Sequence, residues 1–89
     1  MRELLIGMTT AQTDSEHPIT CEYKILIQNI NTGITCEIYG IQVTLLETGE
    51  FSRILNLTVE SARITELGDA LCRNAVTPCT LRDVIEDWI

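Results

Sequence analysis

The chain predicts an α+β fold, a meander of about four antiparallel strands followed by two C-terminal helices packed on one sheet face, and three observations carry that expectation. As far as Leu57 the apolar residues come in short runs separated by turn signals, two of which alternate with polar residues. From Thr58 the period lengthens from two to between three and four. The closing stretch, LRDVIEDWI, then sets Leu81, Val84, Ile85, Trp88 and Ile89 on one stripe of a helix. A helix of little more than two turns does not hold itself together in water, because nucleation costs more than its few hydrogen bonds return, so the stripe has to dock on the strands.

Taken in order, Glu3 to Met8 is short and apolar and reads as a first strand, and Thr9 to Pro18 lacks either period and reads as a surface loop. That loop holds the single histidine, His17, which has no second histidine to form a metal or acid-base pair. From Cys21 to Ile30 the sequence alternates, with Tyr23, Ile25 and Ile27 on one side and Glu22, Lys24 and Gln28 on the other, interrupted by Leu26. Asn31, Thr32 and Gly33 form a turn signal, so a hairpin leads into a third strand that begins at Ile34.

The third strand changes phase. Ile34, Cys36 and Ile38 share one face, whereas Ile41, Val43 and Leu45 belong to the other. A bulge at Gly40 returns both sets to the core, and the alternative is a strand covered on both faces. A second turn spans Glu47 to Glu50, and a two-residue loop at Thr48 and Gly49 sets Leu46 opposite Phe51 and Val43 opposite Ile54 in a fourth strand, Phe51 to Leu57.

Thr58 is read as the N-cap of the first helix and Glu60 as an acid in its first turn; Ile64, Leu67 and Leu71 then recur at helical spacing towards an end near Asn74. Gly68 lies on the same stripe and predicts close approach to the sheet. Thr77 and Pro78 are read as cap and first position of the final helix. The face that receives it is built by Ile25, Ile27, Ile38, Val43 and Ile54, with Trp88 in the buried stripe.

Eighty-nine residues with 45% hydrophobic content fit a single domain, residues 1–89. No apolar run reaches the roughly 18 residues a bilayer crossing needs, and Glu3 stands where a signal peptide has basic charge, so a soluble cytoplasmic protein is expected, with no membrane among its partners. Thirteen acidic against six basic residues give a formal charge of −7, and the bases are scattered singly, which argues against direct nucleic-acid binding. The acidity suits a solvated surface, or a face that docks on a basic partner. Four cysteines, Cys21, Cys36, Cys72 and Cys79, are read as reduced and structural.

No catalytic grouping is present in the sequence: there is no Cys and His pair at nucleophile spacing, no glycine-rich phosphate loop and no CxxC. The nearest constellation is Asp83, Glu86 and Asp87 on one face of the last helix, with Glu66 and Asp69 on the helix before it. As a solvated face these carboxylates need no further role; as a site they would meet a partner. The run YGI at Tyr39 to Ile41, the Thr58 cap and TPCTLRDVIEDWI at the C-terminus resemble a family of small bacterial proteins of unknown function, about 90 residues long. The resemblance covers about the last fifty residues and implies β-then-α order without site residues.

The expectation for function is therefore a small acidic protein-interaction or regulatory module, with neither enzymatic activity nor a cofactor, or an acidic inhibitor of a nucleic-acid-binding site on a partner. Leu26, Leu46 and Leu55, left over from the core pattern, predict a second apolar surface that serves a homodimer or a protein partner.

Overall fold

A computed structural model describes residues 1–12, 18–31 and 35–88 of the chain. Strands β1 (Arg2–Gln12), β2 (Pro18–Asn31), β3 (Thr35–Leu45) and β4 (Phe51–Thr58) form one antiparallel sheet in the order of the sequence, followed by helices α1 (Ser61–Arg73) and α2 (Leu81–Trp88). The α+β class, the meander and the two closing helices stand as the sequence predicts.

Directly opposed residues of antiparallel strands share a face, so the ladders sort the sheet into rows. On the inner face Gly7, Tyr23, Val43 and Ser52 form one row and Leu4, Ile25, Ile41 and Ile54 another. α1 crosses this face and touches all four strands, while α2 lies against β4. The core they close joins Tyr23, Ile25, Ile41 and Val43 to Ile64, Leu67 and Leu71 of α1 and to Leu81 and Ile85 of α2. Burial on this scale supplies the docking surface that a helix as short as α2 requires.

Several expectations need correction. β1 runs on to Gln12 and β2 starts at Pro18, so Thr9–Gln12 is strand and not loop; the sequence hides this because Thr9 and Thr10 are polar and lie near the sheet's rim, opposite Cys21 and Thr20. His17, Thr32, Gly33 and Ile34 lie outside the described residues. β3 runs without a bulge against β2, and the irregularity at Gly40 belongs to β4, which places extra residues between Ile54, opposite Ile41, and Thr58, opposite Tyr39. A Cβ on Gly40 would collide with the carbonyl oxygen of Ile54 and stand 2.9 Å from Cα of Leu55. Gly40 is therefore glycine so that another strand's backbone can pass, with Asn56 at φ 58° turning that backbone.

Because β3 keeps its phase, Ile38 pairs with Gln28 on the outer face and is not part of the core; Ile41 takes that place. The β3–β4 turn is longer than two residues. Leu45 donates to the carbonyl of Glu50 at 2.7 Å and Gly49, at φ 80°, donates back to Leu45 at 2.8 Å. Phe51 thus faces Thr44, Ile54 faces Ile41, and Leu46 sits in the turn, not across from Phe51.

Both helices begin later than their signals suggest. The Thr58 hydroxyl accepts from the Glu60 amide at 3.1 Å, a local turn ahead of a helix whose capping position is Glu60. Thr77 and Pro78 likewise belong to the connection, where the Thr80 hydroxyl donates to the Thr77 carbonyl at 3.2 Å before α2 starts at Leu81. α1 ends as predicted, at Asn74, and its last carbonyls are closed by the Ala75 amide on Cys72 at 3.2 Å and the Val76 amide on Leu71 at 3.1 Å.

Candidate interaction surface

The helix layer carries every one of the carboxylates singled out in the sequence. Glu66 and Asp69 on α1 and Asp83, Glu86 and Asp87 on α2 are all exposed, because the stripes Ile64, Leu67, Gly68, Leu71 and Leu81, Ile85 turn inward. Asp69 is paired with Arg73 at 3.2 Å. Glu66, Asp83, Glu86 and Asp87 make no ion pair among the described residues, where the other pairs are Arg2 with Glu37 and Lys24 with Glu3 and Glu22. No three Asp, Glu, His or Cys side chains among the described residues come together closely enough to hold a metal ion.

A feature the sequence did not reveal joins the two helices. The guanidinium of Arg63 lies 4.6 Å from the centre of the Trp88 ring, which is half-buried and packs against the core. Arg63 is thereby held by an aromatic face, and Asp83, Glu86 and Asp87 of α2, which also carries Arg82, form no ion pair among the described residues. A spacing rule could not supply this contact, since the two residues stand 25 apart in the chain on separate helices.

The opposite face of the sheet is polar at its centre. Arg53 donates to Gln42 at 2.9 Å and stacks over Phe51 at 5.6 Å, Gln42 donates to Thr44 at 3.0 Å, and Lys24 reaches Glu22 at 3.3 Å. The second apolar surface expected from Leu26, Leu46 and Leu55 does not form. Leu26 is fully buried opposite Gly40, beside the point where β4 passes, whereas Leu46 lies in a turn and Leu55 on the irregular part of β4.

Titratable groups gather in one buried place. The Tyr23 hydroxyl donates to the Val76 carbonyl at 2.8 Å, and Thr9, which pairs with Cys21, donates to the Cys72 carbonyl at 2.9 Å with the Cys72 thiol 3.3 Å away. Burial, above all, pushes both the Tyr23 hydroxyl and the Cys21 thiol up from their ordinary pKa values, so both are neutral at physiological pH and serve packing. None of the four cysteines is joined to another; Cys72 lies over β1, whereas Cys79 lines an open groove of about 440 Å³ with Gly49, Glu50, Phe51, Ser52 and Pro78. That groove brings together one carboxylate and one thiol without a base, which is no arrangement for nucleophilic catalysis.

A family model described as "Family of unknown function (DUF6514)" matches residues 2–89. The chain belongs to this family. The match covers nearly the whole length, where the resemblance read from the sequence covered about the last fifty residues. Neither a curated protein nor a solved structure matches the chain. Among the described residues, no helix of this family member is long and apolar enough to cross a membrane.

Proposed function

We propose that the protein is a cytoplasmic, non-catalytic interaction module whose helix layer docks on a basic surface of a partner protein. The observation that supports this reading is the set of exposed carboxylates Glu66, Asp83, Glu86 and Asp87 that lack ion-pair partners among the described residues, while the nearby Arg63 is engaged by Trp88. Exposed charges of one sign steer an oppositely charged partner and add specificity, with modest affinity per pair. A partner whose basic surface serves nucleic acid is a particular case, in which the module acts as an inhibitor by occupying that surface.

The test is affinity capture from the native host at low and high salt. A specific partner should copurify at low ionic strength, be released at about 0.5 M salt, where screening acts within a few ångströms, and be lost when Asp83, Glu86 and Asp87 are replaced together by Asn, Gln and Asn. Capture that is indifferent to both salt and the substitutions would refute the acidic docking surface.

A further inference from the structure

We propose that a second copy of this chain pairs with β1, edge to edge and antiparallel, to give a continuous eight-stranded sheet across a twofold axis. β1 is an outer strand, bonded to β2 on one side only. Of the eight large hydrophobic residues that stand exposed among the described residues, three lie in its first stretch, Leu4, Leu5 and Met8, and Met1 immediately precedes it. Leu4, Leu5 and Met8 are each more than half exposed, and Leu5 and Met8 point to the outer face.

The two edges of the sheet are treated differently. β4 is interrupted after Ile54, twisted at Asn56 and flanked by α2, all of which obstruct pairing. β1 has neither lysine nor proline along its length and interrupts its ladder only once, at Ile6, whose side chain packs on the core and lies where a Cβ on Gly68 would stand.

That bulge selects a register. A twofold axis perpendicular to the sheet requires opposed residues to share a face. With the two bulges meeting at the axis, Leu5 stands opposite Met8 of the second copy and Met8 opposite its Leu5, both on the outer face. On the inner face Leu4 stands opposite Thr9. The faces stay matched from Glu3 through Thr10, and like charges do not oppose, since Glu3 meets Thr10. β1 itself carries one arginine and one glutamate, so the strand brings no net charge to the seam.

The surface is a single strand, so the association is weak, with a dissociation constant of roughly 10 to 100 µM. It rests on the edge strand alone and on nothing in the helix-layer reading; a failure here leaves the salt-sensitive capture of a partner as it was. Sedimentation of the full chain from about 5 to 500 µM, across that range, should show the apparent mass rising from the 10.0 kDa monomer towards twice that value. Leu5→Lys combined with Met8→Lys should weaken dimerisation at least tenfold with unchanged circular dichroism, and Phe51→Lys should not. Should the double variant lose its fold, amide exchange in the unaltered chain gives the same answer, because protection along β1 should rise with concentration. A monomer over the whole range, or a dimer abolished by Phe51→Lys and indifferent to the β1 variant, would overturn the proposal, as would β1 exchange independent of concentration.

Discussion

The hydroxyl of Tyr23 in the middle of β2 donates a 2.8 Å hydrogen bond to the carbonyl of Val76, in the connection between α1 and α2. One buried bond thus ties the centre of the sheet to the point where the helix layer changes direction. Tyr23→Phe keeps the ring and leaves the Val76 carbonyl unpaired, and should cost about 1 to 3 kcal/mol in urea unfolding.

The same residue sets an alkaline limit. Burial raises Tyr23 above the ordinary value of 10.0 and Cys21 above 9.0, so the unfolded chain releases these protons at lower pH than the folded one. The stability they contribute is complete below about pH 9 and is lost as pH rises towards the folded values, at up to about 1.4 kcal/mol per pH unit for each group. Unfolding free energies measured between pH 8 and about 11 should fall, and Tyr23→Phe should remove one group's share of the slope.

Arg63 over Trp88 couples α1 to α2. Trp88→Ala should cost about 2 kcal/mol, less than a fully buried tryptophan, because the ring is half-buried. Arg63→Ala should cost about 0.5 to 1 kcal/mol, and a double-mutant cycle should return a coupling of the same size; additive losses would mean that the stacking contributes nothing.

Two glycines should respond oppositely to a methyl group. At Gly40 the added Cβ meets backbone of β4, which cannot yield without moving the strand, and Gly40→Ala should cost about 3 kcal/mol. At Gly68 the Cβ meets Cδ1 of Ile6, the far end of a flexible side chain, and alanine adds about 1 kcal/mol of helix propensity. Gly68→Ala should therefore stay within about 1 kcal/mol of the parent in thermal unfolding.

Ala75 closes α1 at φ 51°, a left-handed conformation that costs a side chain about 1 to 2 kcal/mol. Ala75→Gly should stabilise the protein by about 0.5 to 1 kcal/mol, the relief of strain exceeding the added chain entropy of glycine; a loss of stability would show that the conformation is unstrained.

The class, the strand count and the closing stripe were legible because they depend on local period: Leu81, Val84 and Ile85 lie on one side of any helix they form. Register was not. Val43 opposes Ser52 and not Ile54 because the β3–β4 turn is anchored from a third strand, the Leu46 amide donating to Thr20 at 3.0 Å and Glu47 accepting from the Thr20 amide at 2.7 Å. The phase change at Gly40 was visible, but its cause lay in β4, and a single strand's pattern does not say which of two neighbours carries the irregularity. For the interaction surface, the carboxylates could be read from helical spacing, whereas Arg63 against Trp88 and the exposed edge of β1 depend on tertiary placement.

The sheet's order is the order of the sequence, and this governs how the chain folds. Each new strand pairs with the one made just before it, so the ladders need only short loop closures and can zip in succession. The slow event is the return of α1 to β1, where Thr9 meets Cys72 across 63 residues. Until that happens, Ile6, whose side chain meets Gly68 of α1, stands uncovered beside the already exposed Leu4 and Leu5, so the time before α1 docks is when the chain is most prone to aggregate through β1.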